Sequence, residues 1–397
     1  MQKLFLSLLF LAAAELPVSA APDVPPPGFK MAFIGDQGLG PGAQKVLELV
    51  KSEGADLLVH LGDFDYSDNP SAWEEQFDRI LGNDFPVIAV VGNHDLLAWR
   101  GLRGYAWYVA ERLRRMGVEV RGVPGERCSF RYRGIFFVLT SPGLIGEGHG
   151  EFIRAELERD SSLWSISAWH VNQRLMQVGG KGDEAGWDVY EESRKGGAII
   201  ATAHEHSYSR THLLSRMSAQ TVASKSDTLR MRKGLSFAFV AGLGGEEVRP
   251  QMLAGDWWAK IYTATQGASP GALFATFHVD GDPRKAEFAF KAINGTVADR
   301  FTVFREEDVE EVPDPPPIPP VPEPEETEAP RRLEIDPARL GLGTGGRLTL
   351  YDLHGRVLAC VQRANGPVSL PMPGRGMAIL RMEQPGGGSR RKLIILP

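Results

Sequence analysis

The sequence predicts an α/β protein in which two packed sheets are flanked by helices, followed by a small all-β module. Three observations carry that expectation. Between residues 22 and 305, short apolar runs ending in Gly-Asp or Gly-Asn alternate with segments of helical spacing, the pattern of helices packed on sheets. The later part of this region is richer in strand-like runs. After Glu306 the composition changes abruptly.

The elements come in this order. Lys30 to Ile34 is a short apolar run that stops at Gly35-Asp36. Ala43 to Ser52 has helical spacing. Leu57 to Leu61 is a second run, ending at Gly62-Asp63, and Trp73 to Leu81 reads as helix. Pro86 to Val91 is a third strand, ending at Gly92-Asn93, and one long amphipathic stretch, Leu97 to Met116, comes next. Ile135 to Thr140, Leu163 to Trp169, Ala198 to Ala203, Phe237 to Ala241, Leu273 to Val279 and Ala286 to Ile293 read as further strands. Chemistry in such domains gathers at the C-terminal ends of strands, which is where the notable Asp, Asn and His residues fall.

The window Glu306 to Glu328 holds ten acidic residues, no Lys or Arg, and eight prolines. It cannot bury apolar surface and its like charges repel, so residues 306–332 are expected to be an extended linker. Residues 333–397 are Gly-rich and strand-like, with nine basic against four acidic residues, and read as a β-sandwich module. At the other end, residues 1–20 fit a signal peptide: Lys3 as the positive end, Leu4 to Ala14 as the apolar stretch, and Val18-Ser19-Ala20 as the small-residue cleavage site. The apolar run is shorter than the roughly 20 residues a bilayer needs, so no membrane span is expected after cleavage. The expected location is secreted or at the cell surface, by way of the periplasm.

Over 397 residues, 43% of the chain is hydrophobic and 24% charged, ordinary values for globular domains. The net charge of −6 gives no support to a nucleic-acid partner. The two cysteines, Cys128 and Cys360, fall in different predicted domains, so no disulfide framework is expected.

The chemistry lies in five short motifs. Asp36 stands in Gly35-Asp36-Gln37-Gly38, Asp63 and Tyr66 in Gly62-Asp63-Phe64-Asp65-Tyr66, and Asn93 and His94 in Gly92-Asn93-His94-Asp95. His170 closes Ser167-Ala168-Trp169-His170. His204 and His206 stand in Ala203-His204-Glu205-His206, where alternate residues of an extended segment point the same way. Each motif alone has an ordinary reading: a strand-end Asp as a turn residue, a histidine as a satisfied core residue, Tyr66 as a buried aromatic with a bonded hydroxyl. Together they supply carboxylate, amide and imidazole donors in the mixture that suits Zn, Fe or Mn. Seven donors suffice for two metals if one carboxylate bridges.

The order GD, GDxxY, GNHD, H, HxH resembles the calcineurin-like metallophosphoesterases, and within them the purple acid phosphatase branch. The resemblance covers Lys30 to Val303. It implies a four-layer α/β/β/α sandwich and a two-metal site. Asp36, Asp63, Tyr66 and His206 would hold the first metal, and Asp63, Asn93, His170 and His204 the second, with Asp63 bridging. Most of that superfamily has His two residues after the first Asp, where this chain has Gly38. The purple acid phosphatases have a tyrosinate three residues after the bridging Asp, where this chain has Tyr66. The implied metals are Fe(III) with Zn, Fe or Mn. Two departures stand out: Ala203 where Gly is usual, and Ser167 where Val is usual.

The implied reaction is hydrolysis of a small phosphate ester by a metal-bridging hydroxide, with His94 donating a proton to the leaving oxygen. Asp95 or Asp65 can orient His94. Arg210 can hold a phosphate oxygen or make a structural ion pair. A phosphodiesterase or nucleotide-acting hydrolase on the same site, and a surface-displayed binding protein with an inactive site, are the alternatives. The C-terminal module, with its Tyr351-Asp352-Leu353-His354-Gly355-Arg356 turn and basic-then-apolar final strand, resembles type IX secretion sorting domains. That implies contact with secretion machinery through residues 333–397; a carbohydrate-binding β-sandwich is the plainer alternative.

Overall fold

The architecture comes from a computed structural model. It describes residues 24–308 and, towards the C-terminus, 332–335, 346–351, 357–364, 368–371, 376–383 and 389–396. The expected signal segment, most of the linker and the Asp352–Arg356 turn lie outside the described residues. The chain divides into two compact units, Met1–Glu311 and Val312–Pro397.

The first unit is built on two large mixed sheets. The seven-stranded sheet runs Thr228–Met231, Val297–Arg305, Asp282–Ala292, Gly271–Val279, Phe29–Ile34, Leu57–His60, Val87–Ala89. The eight-stranded sheet runs Trp258–Tyr262, Tyr208–Thr211, Ala238–Ala241, Ile199–Thr202, Trp164–Ala168, Ile135–Leu139, Arg127–Tyr132, Arg121–Val123. Parallel pairs occupy one end of the seven-stranded sheet, Phe29–Ile34 with Leu57–His60 and Leu57–His60 with Val87–Ala89, and the middle of the eight-stranded sheet, Trp164–Ala168 with Ile199–Thr202.

Side-chain alternation explains the layering. Met31, Phe33, Leu57 and Val59 meet Phe137, Leu139, Ile199 and Ala201 between the sheets. The opposite residues, Ala32, Ile34 and Leu58, pack under the helices Pro41–Ser52, Pro70–Ile80 and Tyr105–Arg115 through Val46, Leu47, Trp73, Phe77 and Val109. On the far side, Phe136, Val138 and Ile200 pack under His149–Arg159 and Trp187–Lys195 through Ile153, Leu157, Val189 and Tyr190. Strands buried on both faces read as continuous apolar runs, which is why the sequence displays them. The result is the expected α/β/β/α sandwich.

The stretch Leu97 to Met116 is not one helix. It is a short turn of helix, Leu96–Trp99, a break, and then Tyr105–Arg115. The break holds Gly101 at φ +113° and Gly104, where an added Cβ would sit 2.6 Å from the Trp99 carbonyl oxygen. Amphipathic spacing continues across the break, so periodicity alone hides it. In the second unit a four-stranded antiparallel sheet runs Val357–Ala364, Gly346–Tyr351, Gly376–Glu383, Ser389–Leu396, and a two-stranded one pairs Arg332–Ile335 with Val368–Pro371. Leu348, Leu350 and Leu380 are buried there.

Candidate metal centre

The seven candidate donors come from strand ends of both sheets. The chain leaves Phe29–Ile34 into Asp36, Leu57–His60 into Asp63, Val87–Ala89 into Asn93, Trp164–Ala168 into His170 and Ile199–Thr202 into His204. The sheets are stitched together beside these ends by Gly35 N–H to the Ala241 carbonyl (2.8 Å) and Gly244 N–H to the Gly35 carbonyl (2.8 Å). Asp36, Asp63, Tyr66 and His204 all take left-handed backbone conformations, at φ 56°, 56°, 55° and 70°. Such conformations cost a non-glycine residue energy that the surrounding structure must supply, and they cluster at functional sites.

The donors form two groups that share one atom. Tyr66 Oη lies 3.0 Å from Asp36 Oδ1, 3.1 Å from Asp63 Oδ2 and 3.1 Å from His206 Nε2. His170 Nε2 lies 3.2 Å from Asp63 Oδ2, 3.2 Å from Asn93 Oδ1 and 3.2 Å from His204 Nδ1. Asp63 Oδ2 belongs to both groups.

Hydrogen bonding among these atoms cannot satisfy them. A phenol has one proton, yet Tyr66 faces three acceptors. His170 Nδ1 is 2.7 Å from the Leu61 carbonyl and donates to it, and His206 Nδ1 is 2.9 Å from the Glu247 carbonyl and donates likewise. In the neutral rings that leaves both Nε2 atoms as lone pairs facing further lone pairs. Donors about 2.1 Å from a shared ion would stand roughly 3.0–3.4 Å from one another, which is the spacing observed. Asp63, His170 and His204 are also all buried and mutually close enough to share one ion.

The electrostatics agree. Burial pushes the Asp36 carboxyl up to about 7, aided by the nearby Asp63 charge and opposed by His170. Burial opposes charge on His170, but the carboxylates of Asp63 and Asp36 lift it to about 9. Burial lowers His204 and His206 to about 4, keeping both rings neutral and available as ligands near pH 7. Burial, then Asp36 and Asp63, push the Tyr66 phenol above its ordinary range. The cluster calls for positive charge, and its donor set fits metal ions.

The remaining sequence candidates divide by what they touch. His94 is exposed, stacks near Tyr66 (4.6 Å between ring centroids) and gives its backbone N–H to Asp63 Oδ1 at 2.9 Å. Neither expected partner orients its ring. Asp95 accepts the backbone N–H groups of Asp63, Phe64 and Gly92, and Asp65 those of Ser67 and Asn69. Arg210 is a correction. It is 1% exposed, its Nε and Nη2 hold Asp299 bidentately at 2.7 and 3.1 Å, Nη2 also meets Asp227, and the guanidinium lies 4.0 Å over the Phe301 ring. Tyr208 donates to the same Asp299. The guanidinium is engaged in a buried ion pair, so it makes the structural contact and not the phosphate one.

The surroundings of Ala203 and of Gly38 have local explanations. An added Cβ on Gly35 would collide with the Ala203 side chain, so Gly35 leaves room for that alanine. An added Cβ on Gly38 would collide with Glu246 Oε1, so the Glu246 carboxylate occupies the space beside residue 38. Sequence reasoning missed Glu246, together with Glu184 against His204 and Arg249, whose backbone N–H bonds the His206 carbonyl at 3.0 Å. All three sit on loops with no periodic relation to a strand end, and no sequence signal marks them.

Two sheets between helices, with a polyvalent donor cluster at the strand ends, define an α/β/β/α sandwich with a candidate metal site at its strand ends. More particularly, residues 29–208 match the family model of the calcineurin-like phosphoesterases. Among solved structures, a purple acid phosphatase, PPD1, from yellow lupin (Lupinus luteus) seeds is similar at 19% identity with a TM-score of 0.54, over 71% of this chain and 55% of that one. The chain thus spans about half the length of that relative. A structure of PhoD aligns at 11% identity and a TM-score of 0.48, over 72% and 71% of the two chains. No curated protein matches the sequence. Among the described residues, no helix is long and apolar enough to cross a membrane.

Proposed function

We propose that this protein is an exported two-metal phosphoesterase of the purple acid phosphatase kind. The observation that carries the reading is the pair of donor groups sharing Asp63 Oδ2, at 3.1 Å from Tyr66 Oη and 3.2 Å from His170 Nε2. Asp36, Asp63, Tyr66 and His206 would hold one ion and Asp63, Asn93, His170 and His204 the other. When bound, two such ions supply Lewis acidity at the phosphoryl oxygens and water of lowered pKa.

The chain's own residues do the rest. The Leu61 and Glu247 carbonyls fix His170 and His206 in the tautomer that presents Nε2 inward. The buried Asp95 carboxylate gathers the Asp63, Phe64 and Gly92 amides and so sets the loops carrying Asp63 and Asn93. His94, exposed beside Tyr66, would deliver a proton to the leaving oxygen of a small ester.

The ferric reading rests on Tyr66, since a phenolate bound to Fe(III) absorbs visible light. Purified protein should be coloured and should hydrolyse nitrophenyl phosphate faster than its bis-ester. Tyr66→Phe should bleach it. A colourless, active protein would remove iron from the account, and faster diester cleavage would make it a phosphodiesterase. The export reading rests on residues 1–20, and the reading of residues 333–397 as a type IX sorting domain on their motif and on an antiparallel β-sheet unit.

A further inference from the structure

Three imidazoles face the candidate centre, and they are held differently. His170 and His206 are anchored through Nδ1 by the main-chain carbonyls of Leu61 and Glu247, at 2.7 and 2.9 Å, and turn Nε2 inward. His204 is reversed. Its Nδ1 faces His170 Nε2 at 3.2 Å, and its Nε2 points away from the centre into close contact with Glu184 Oε2. That nitrogen is buried and has no other partner. One of the three rings is therefore held by a side chain, and that side chain is a carboxylate, 39% exposed to solvent.

The carboxylate is not there by chance of a surface rotamer. Glu184 belongs to a loop whose main chain is pinned beside His204 by one buried residue, Asn172. Asn172 Nδ2 donates to the Ala203 carbonyl at 2.5 Å, immediately before His204, while its own carbonyl accepts Glu184 N–H at 3.0 Å. Its Oδ1 accepts from the buried Tyr190 hydroxyl at 3.1 Å. Asn172 thus couples the backbone of the carboxylate to the backbone of the ring it meets. Gly143, at φ +72°, permits the close approach of the Glu184 carbonyl, since an added Cβ would collide with it.

We propose that Glu184 is a positioning residue that fixes the ring of His204 and, by putting negative charge on its outer nitrogen, strengthens the hold of Nδ1 on the second metal. This rests on the dinuclear reading above. A carboxylate behind a ligating histidine fixes its tautomer and raises its basicity, and losing one typically weakens metal binding about 10- to 100-fold. Because the other two rings rely on the main chain, a side-chain change behind a ligating ring bears on the second metal, which His204 would serve, and not on the first.

The test uses the full chain, stripped with a chelator and reloaded with Zn²⁺, the two binding steps being read by calorimetry and the bound metal counted by mass spectrometry. In Glu184→Ala one of the two steps should lose about 10- to 100-fold in affinity while the other stays as in the wild type. Glu184→Gln keeps an acceptor for the Nε2 proton but no charge, and should fall between the two. Unchanged steps in Glu184→Ala, or an equal loss on both steps, would overturn the proposal while leaving the dinuclear reading intact. A wild type with no second step would overturn both.

Discussion

Tyr66 and His170 each face three electron-pair donors with at most one proton to offer in their neutral forms. At residue scale that mismatch is the strongest sign of a cation site, and it could not be read from the sequence. The sequence did identify the donor types and their order. It could not place Arg210, because a buried ion pair with Asp299, 89 positions away, leaves no local pattern. Nor could it see that Asp65 and Asp95 are occupied by backbone amides, which leaves the His94 ring without a carboxylate to hold it. A proton donor matters most when the leaving oxygen is basic. His94→Ala should therefore lower turnover of alkyl phosphates by about 100-fold or more and that of nitrophenyl phosphate far less. Steady-state rates on the two ester classes decide this, and equal losses would remove His94 from the acid role.

At the scale of elements, the parallel strands were legible because both faces are buried and the runs are unbroken. The strand Tyr208–Thr211 was not, because its buried side chains, Ser209, Arg210 and Thr211 among them, are mostly polar. The break in Leu97 to Met116 was hidden by continued helical spacing on either side. The loops at the strand ends are tightly specified. An added Cβ on Gly92 would collide with the Asp63 amide nitrogen and Oδ1, and one on Gly62, at φ +92°, would come within 2.7 Å of His170 Nδ1. Gly92→Ala should displace the shared carboxylate and cost about 1–3 kcal/mol in stability, as overpacking does. It should also lower metal retention after dialysis. Metal content and thermal melting read the two effects, and a fully loaded variant with unchanged melting would show that the loop can relax.

For the whole molecule, the division into two units reflects composition. The acidic, Pro-rich stretch cannot form a core, and the C-terminal unit beyond it has its own buried leucines in an antiparallel sheet. All seven candidate donors lie in the first unit, which has its own core, so deleting residues 333–397 should leave purified activity within about two-fold of the full chain. If the C-terminal unit is a sorting address, that truncation should stay inside the cell envelope, as fractionation would show. Loss of activity in the purified truncation, or unchanged export, would contradict this division of labour. The proposed function requires the first unit to close its converging lone pairs with two metal ions and to hydrolyse phosphate esters there. The most direct test is metal content per chain in purified protein, measured alongside nitrophenyl phosphate hydrolysis before and after chelation. Close to two ions per chain are expected, with activity lost on chelation and restored on reloading. Full activity in metal-free protein, or failure to take up metal at all, would contradict it.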